Sequence, residues 1–199
     1  MLKSIRCTIV IGVRGMGFII PFEDTDLTFR TRMREEAILM LARLVDSVGK
    51  RPEDYIVRNI FPSLDLGFSN DQWVISFSAA NDWETKVNIS IPENKFIVFY
   101  GYQNNSANPL TIALRFSKGT DVLEYVHVDN LYSYRYPIGF FAALGWKENE
   151  PLAIDFMGRA AGTDNPILLG LVAERVRVRV TRPLLSELVS EIERARPRR

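Results

Sequence analysis

The chain has 199 residues, of which 47% are hydrophobic and 25% charged, and its formal net charge is +1. This composition predicts a folded globular protein, because disordered chains combine low hydrophobicity with high net charge. One cysteine and one histidine exclude a disulfide framework, a cysteine-based zinc or iron–sulfur site, and any metal site with several imidazoles. We therefore expect no metal and no cofactor, and no motif in the sequence specifies a reaction.

Residues 1–30 are predicted to form an extended N-terminal arm. Apolar residues alternate at its start and three glycines follow; these residues are Ile5, Cys7, Ile9 and Ile11, then Gly12, Gly15 and Gly17. Such an arm cannot bury both of its sides alone, so we expect it to lie on its own domain or on a neighbouring subunit. Its apolar run is too short for a signal peptide or a membrane span. We expect the chain to be made in the cytoplasm and to stay there unless it leaves inside an assembled particle.

Residues 31–48 are predicted to form a helix, with Thr31 as its N-cap and with Gly49 and Pro52 ending it. Its apolar residues follow helical spacing and define one face: Ala37, Ile38, Leu41, Leu44, Val45 and Val48. A stripe of this width favours packing on the protein's own sheet over binding a partner.

From residue 55 to about residue 180 the sequence consists of short β-like runs separated by turn residues. The eight predicted strands are 72–80, 84–91, 95–102, 110–117, 122–128, 138–144, 152–157 and 167–180, and 55–61 is a further extended piece. No helix is predicted between consecutive strands, which favours an antiparallel β-sandwich over a parallel α/β sheet. A count of about eight strands is that of the jelly roll.

The chain is thus expected to be mainly β and to have three parts. These are the arm over 1–30, a helix plus β-sandwich body over 31–180, and a C-terminal helix with a basic tail over 181–199. In the last part, Thr181 is the predicted cap and Pro183 lies in the first helical turn.

The near-neutral net charge conceals an uneven distribution. From Arg175 onward eight arginines face three glutamates, a net charge of +5, which leaves residues 1–174 at −4. The candidate contacts for nucleic acid or an acidic partner are Arg175, Arg177, Arg179, Arg194, Arg196, Arg198 and Arg199. The alternatives are protection of a strand edge and contact with the acidic body of a neighbouring copy. Arginine also outnumbers lysine nineteen to six; we attribute this preference to a GC-rich genome or a heat-adapted (thermophile) host rather than to phosphate binding, which is the alternative.

A second candidate surface is aromatic. Tyr132, Tyr134 and Tyr136 share one face if their segment is extended, and Trp146 follows closely in sequence. Exposed rings of this kind hold sugars or bases and are enriched at protein interfaces, whereas ordinary packing is the alternative. His127 and Asp129 share a strand face that suits a general base, but without a nucleophile we interpret His127 as a surface or interface residue. We therefore expect no catalytic residue.

Together, the arm, the packing helix, the eight-stranded pattern over 55–180 and the basic C-terminal end resemble the single jelly-roll coat proteins of viruses. The resemblance implies a non-enzymatic structural protein that self-assembles into a shell, tube or virus-like particle and is found in the virion. It also implies that the arm is exchanged between subunits and that the arginine-rich end faces the interior. The basic residues depart from the pattern, because many such coat proteins carry theirs in an N-terminal arm. The alternatives are a carbohydrate- or other ligand-binding β-sandwich module and an enzyme built from scattered carboxylates.

Overall fold

The computed structural model describes residues 19–21, 27–128, 138–176 and 184–195, with side chains from residue 31 onward except at position 141. The helices are α1 (Leu27–Asp46), α2 (Pro62–Asp65) and α3 (Leu185–Ala195), and a 3-10 turn covers Pro52–Asp54. The strands are β1 (Ile19–Pro21), β2 (Tyr55–Asn59), β3 (Ile75–Phe77), β4 (Trp83–Ser90), β5 (Lys95–Asn104), β6 (Thr111–Lys118), β7 (Asp121–His127), β8 (Ile138–Trp146), β9 (Pro151–Gly158), β10 (Gly162–Asp164) and β11 (Pro166–Arg175).

The strands form two large antiparallel sheets and one small pair. The five-stranded sheet has the order β1-β8-β5-β11-β2, the four-stranded sheet has the order β4-β9-β6-β7, and β10 pairs with β3. If the eight main strands β2, β4, β5, β6, β7, β8, β9 and β11 are numbered 1 to 8 along the chain, the sheets read 1-8-3-6 and 2-7-4-5. This is the strand order of a jelly roll, so the predicted fold class is confirmed.

The two sheets enclose an aromatic core. Phe116 of β6 contacts three rings of the opposite sheet, with centroid distances of 5.6 Å to Phe99, 5.5 Å to Phe140 and 6.1 Å to Trp146. All four side chains are buried. The contact with Phe140 is edge-on and the other two are tilted. These contacts between large rings hold the sheets together, because such pairs add to the free energy gained by burying apolar area.

Helices α1 and α3 cover the outer face of the five-stranded sheet. Along β5, Phe96 and Val98 pack against the helices, whereas Ile97 and Phe99 face the core between the sheets. A strand buried on both faces needs apolar residues at every position, which explains the unbroken apolar run of β5. At Gly145 of β8 an added Cβ would lie 2.8 Å from Leu44 Cδ1, so glycine allows α1 to approach the sheet closely.

The two ends of the sandwich differ. At the end that we call the turn end, tight turns join β4 to β5, β6 to β7 and β8 to β9, and Asn94, Gly119 and Asn149 there have φ of +63°. Glu150 Oε2 lies 2.7 Å from Lys118 Nζ and links two of these turns. At the opposite, loop end lie longer connections, among them those that contain the β3–β10 pair.

The N-terminal predictions need correction. Helix α1 begins at Leu27, so Thr31 lies inside the helix and is not its cap, because no helix breaker separates residues 27–30 from the apolar stripe. The end of the helix is close to the prediction, and Gly49 has a φ of +73° in the turn that follows. Residues 19–21 of the arm form β1, which pairs with β8, while 1–18 and 22–26 lie outside the described residues.

Other boundaries differ where elements are short. The run 72–80 contains only β3, and β10 lies at 162–164, where the sequence predicts a turn. Helix α2 has four residues and was not predicted. The run 167–180 ends as β11 at Arg175; Thr181 and Pro183 lie outside the described residues, and α3 begins at Leu185. Across the described ranges, no helix is both long and apolar enough to cross a membrane.

Candidate functional site

The structure describes two of the seven candidate arginines. Arg175 ends β11 at the turn end of the sandwich, with a side chain 53% exposed and its Nη2 atom 3.9 Å from Asp54 Oδ2. Arg194 is exposed in the last turn of α3, and this helix packs beside the 3-10 turn that contains Asp54. Both arginines therefore belong to elements that border the same turn. The other five lie outside the described residues; they are Arg177, Arg179, Arg196, Arg198 and Arg199.

Trp146 does not belong to an exposed aromatic surface. Its side chain is fully buried between the sheets, and its ring centroid lies 5.8 Å from that of Phe99. The physical reason is the alternation of β8, whose even-numbered residues Ile138, Phe140 and Trp146 all face the core. The three tyrosines of that prediction are outside the described residues; they are Tyr132, Tyr134 and Tyr136.

An aromatic and ionic cluster that sequence reasoning missed lies on the outer face of the four-stranded sheet. The strand register places Thr85, Asp155, Arg115 and Tyr125 side by side, one from each strand. Arg115 Nε donates to Asp155 Oδ2 at 2.6 Å, and Thr85 Oγ1 donates to Asp155 Oδ1 at 2.5 Å. Together with Trp83, these four residues form what we call the outer row.

Two rings cover the ion pair of the outer row. Trp83 of β4 and Tyr125 of β7 come from opposite edges of the sheet and meet with ring centroids 6.0 Å apart. The Arg115 guanidinium carbon lies 5.0 Å from the centre of the Trp83 ring, an attractive cation–π geometry. The Asp155 side chain is only 6% exposed although it points outward. Burial by itself lowers the pKa of Arg115, but the hydrogen bond and charge of Asp155 outweigh it and raise that pKa above its usual value.

His127 lies on the same outer face, one position along from the outer row. It is exposed at the end of β7, opposite Ala113, which in turn lies opposite Met157. Asp129, its expected neighbour, is outside the described residues. The outer face thus presents rings, a neutralised ion pair and one imidazole, an arrangement that suits contact with another molecule.

Two further polar clusters are buried. Arg58 of β2 makes a bidentate pair with Asp65 of α2 at 2.6 and 2.7 Å and also binds Glu174 at 2.9 Å. Among the described residues no cation pairs with Asp164 of β10; its carboxylate accepts hydrogen bonds from Ser106, Asn104, Leu110, Thr111 and the Asn165 amide. Each oxygen of Asp65 and of Asp164 accepts at least two hydrogen bonds, so these two carboxylates fix the loops around them.

A groove runs between α1 and β8. Its walls are mainly apolar and its volume is about 600 Å³; it is lined by Glu36, Leu39, Met40, Arg43, Leu44, Ser47, Ala142, Ala143 and Lys147. Strand β1 pairs with β8 only at residues 138–140, so within the described chain nothing pairs with residues 142–146 on that side. The groove therefore lies beside an open strand edge.

No group of three or more His, Cys, Asp or Glu side chains suited to a metal ion occurs in the part of the chain that the structure describes. Comparison of the chain with family models, with curated proteins and with solved structures finds no match. The case for a function therefore depends on the fold and on the surfaces described above.

Proposed function

We propose that this protein is a non-enzymatic structural subunit that self-assembles into a shell, tube or virus-like particle. The observation that carries the proposal is the strand order 1-8-3-6 and 2-7-4-5. It is the order expected for the single jelly-roll coat proteins that the sequence pattern resembles. On this proposal the protein is found in an assembled particle or virion, and its main partner is a further copy of itself.

The surface of the body supports contacts between copies. Phe61 and Leu64 beside α2 are 43% and 59% exposed, and Val122 and Leu123 on the edge strand β7 are 40% and 41% exposed. Large apolar side chains grouped at an edge are typical of interaction surfaces. The outer row adds a rigid, ring-covered face on the four-stranded sheet.

The charge distribution supports a contact between the C-terminal region of one copy and the body of another. Residues 175–199 carry +5 and residues 1–174 carry −4, so the C-terminal region of one copy is complementary to the body of the next. Contact with nucleic acid inside a particle is the alternative use of the same arginines.

Light scattering and negative-stain electron microscopy of the full-length chain test the proposal. We expect particles of defined size whose fraction rises with protein concentration, and a stable monomer at the highest soluble concentration would contradict the proposal. The arm is tested by deleting residues 1–12, since deletion of all of 1–30 would also remove β1 and the first turn of α1. The shortened chain should keep its circular dichroism spectrum but lose assembly.

One observation favours a second candidate function, a carbohydrate-binding module. Trp83 and Tyr125 present their rings on an open sheet face beside Arg115, and aromatic rings flanked by polar groups are the usual means of holding sugars. Glycan-array binding that is lost in Trp83→Ala, but kept in Trp73→Ala, would support this function. Absence of binding to any glycan would exclude it.

A further inference from the structure

The geometry points to a cis docking site: residues 13–18 of the same chain continue from β1 along the open edge of β8 and fill the groove between α1 and β8. This inference does not depend on self-assembly. It concerns where the N-terminal arm lies on its own body and where the arm leaves that body.

The direction of the chain is the first support. Strand β1 runs antiparallel to β8, with Ile19 opposite Phe140 and Pro21 opposite Ile138. Going backward from Ile19, the chain is therefore directed along β8 toward Trp146 and the turn end of the sandwich. The groove lies along this path, because Ala142, Ala143 and Lys147 all line it.

The length of the segment is the second support. Eighteen residues precede Ile19 in the chain. Six residues in extended conformation span about 20 Å, which is the length that residues 141–146 of β8 cover on the same scale. Residues 13–18 thus suffice to cover the open edge. No linker separates them from Ile19, which keeps them on their own copy.

The side chains fit the groove. In an extended segment Arg14, Met16 and Phe18 point to one side, while the other side carries only Val13 and the two glycines Gly15 and Gly17. The groove offers apolar walls from Leu39, Met40 and Leu44 and small residues from β8. The bulky side therefore faces the helix, and a flexible methionine suits an irregular apolar cleft.

Strand β8 is irregular at the same place. Its pairing with β5 jumps from Leu144 opposite Phe99 to Gly139 opposite Gly101, so β8 has more residues than its partner between these pairs. Such bulges bend a strand and terminate its pairing locally. Ala142 and Ala143, which lie within this irregular stretch, both line the groove, where a further strand would cover them and close the edge.

Disulfide trapping tests the inference. In a Cys7→Ser background, Met16→Cys is combined in turn with Ala142→Cys or Ala143→Cys, and with Ser76→Cys, at an exposed position of β3 at the loop end, as the control. We expect an intramolecular link for a groove pair at every protein dilution and none for the control. Links between chains would overturn the inference in favour of the arm of a second copy. Absence of any groove link would overturn it outright.

Limited trypsin digestion keeps the inference testable if the cysteine variants fold poorly. Cleavage after Arg14 should be slow in the full chain, whereas cleavage after Arg6 should be fast. Leu39→Asp places a charge in the groove and should accelerate cleavage after Arg14 only; Arg34→Asp, at an exposed position of the same helix that does not line the groove, should not. Equal cleavage after Arg6 and Arg14 in the full chain would overturn the inference. The readouts do not involve particles, so a failure here is distinguishable from a failure to assemble.

Discussion

Asp65 and Asp164 are both buried, yet different partners stabilise them. Asp65 receives a bidentate arginine, the Phe61 amide at 2.8 Å and Lys95 at 3.3 Å. Asp164 is surrounded by neutral donors, among them the Thr111 hydroxyl at 2.6 Å and amide at 2.7 Å. The first carboxylate fastens α2 to the five-stranded sheet, and the second fastens the loop before β6 to β10.

Asp65→Asn should destabilise the protein strongly. The Arg58 side chain is only 7% exposed, and the substitution removes the charge that compensates it. Breaking a buried ion pair on one side costs about 3–5 kcal/mol in the free energy of unfolding. Glu174→Gln is the matched control, because Glu174 is 36% exposed and an ion pair of that exposure contributes about 1 kcal/mol or less to the free energy of unfolding. Urea unfolding measures the free energy of both variants, and an equal loss in the two would contradict the argument.

Acid should unfold the protein partly through Asp164. Burial by itself raises the pKa of this carboxyl, but its hydrogen bonds outweigh burial and hold the pKa below the ordinary value of 3.8. As the pH falls, Asp164 is therefore protonated at a higher pH in the unfolded chain than in the folded protein. Its contribution to the free energy of unfolding is fully present above pH 3.8 and is lost as the pH falls from 3.8 through the lower pKa of the folded protein.

Asp164→Asn provides the check on this pH dependence. The variant lacks the titrating group, so its free energy of unfolding should fall less between neutral pH and pH 3 than that of the unchanged chain. At neutral pH it should already be less stable, because an amide group leaves some donors around position 164 unpaired, at about 1–3 kcal/mol each. Identical pH profiles for the two proteins would show that Asp164 is not responsible.

At the scale of elements, the contact between α1 and β8 depends on Gly145. A Cβ at this position would lie 2.8 Å from Leu44 Cδ1 and 2.9 Å from Met40 Cε. Gly145→Ala should therefore push the helix outward at a cost of about 1–3 kcal/mol. Hydrogen exchange should become faster in α1 and stay unchanged in the four-stranded sheet. Ala153→Val, on the outer face of β9, is the control, and an equal effect from it would contradict the argument.

The long strands were predictable because their apolar runs are bounded by turn residues. The run 84–91 corresponds to β4, and 95–102 corresponds to β5. The β3–β10 pair was not predictable, since each strand has three residues and Phe77 pairs with Gly162, far away in sequence. Short strands of this kind form only because the surrounding fold brings them together.

The outer row could be predicted only in part, because the alternation of polar and apolar residues along a strand predicts which face a side chain is on but not which side chains of other strands lie beside it. Arg115 and Tyr125 occupy polar positions of apolar strands, so their outward direction was readable from the sequence. Their proximity to Thr85 and Asp155 depends on the register of four strands, which local sequence does not determine. The burial of Trp146 was misread for a related reason, because nearness in sequence to the tyrosines says nothing about the face of β8.

At the scale of the whole molecule, the turn end of the sandwich concentrates the features that suit contacts between copies. Arg175 lies there, and the chain preceding β1 is directed toward it. Arg194 lies close to the same end, because α3 packs beside the 3-10 turn that contains Asp54. The two arginines of the C-terminal region that the structure describes thus lie near one end of the body.

Neutralising the C-terminal arginines tests which partner they contact. Replacing Arg194, Arg196, Arg198 and Arg199 by glutamine lowers the charge of residues 175–199 from +5 to +1. If this region contacts the acidic body of a neighbouring copy, the variant should assemble less at low salt and respond less to added salt. The reason is that salt screens the attraction between exposed charges, which at physiological ionic strength extends over only about 8 Å. Light scattering across a salt series measures both effects on nuclease-treated protein, and the ratio of absorbance at 260 and 280 nm measures retained nucleic acid on untreated protein. A variant that assembles normally but no longer retains nucleic acid would assign these arginines to nucleic-acid contact instead.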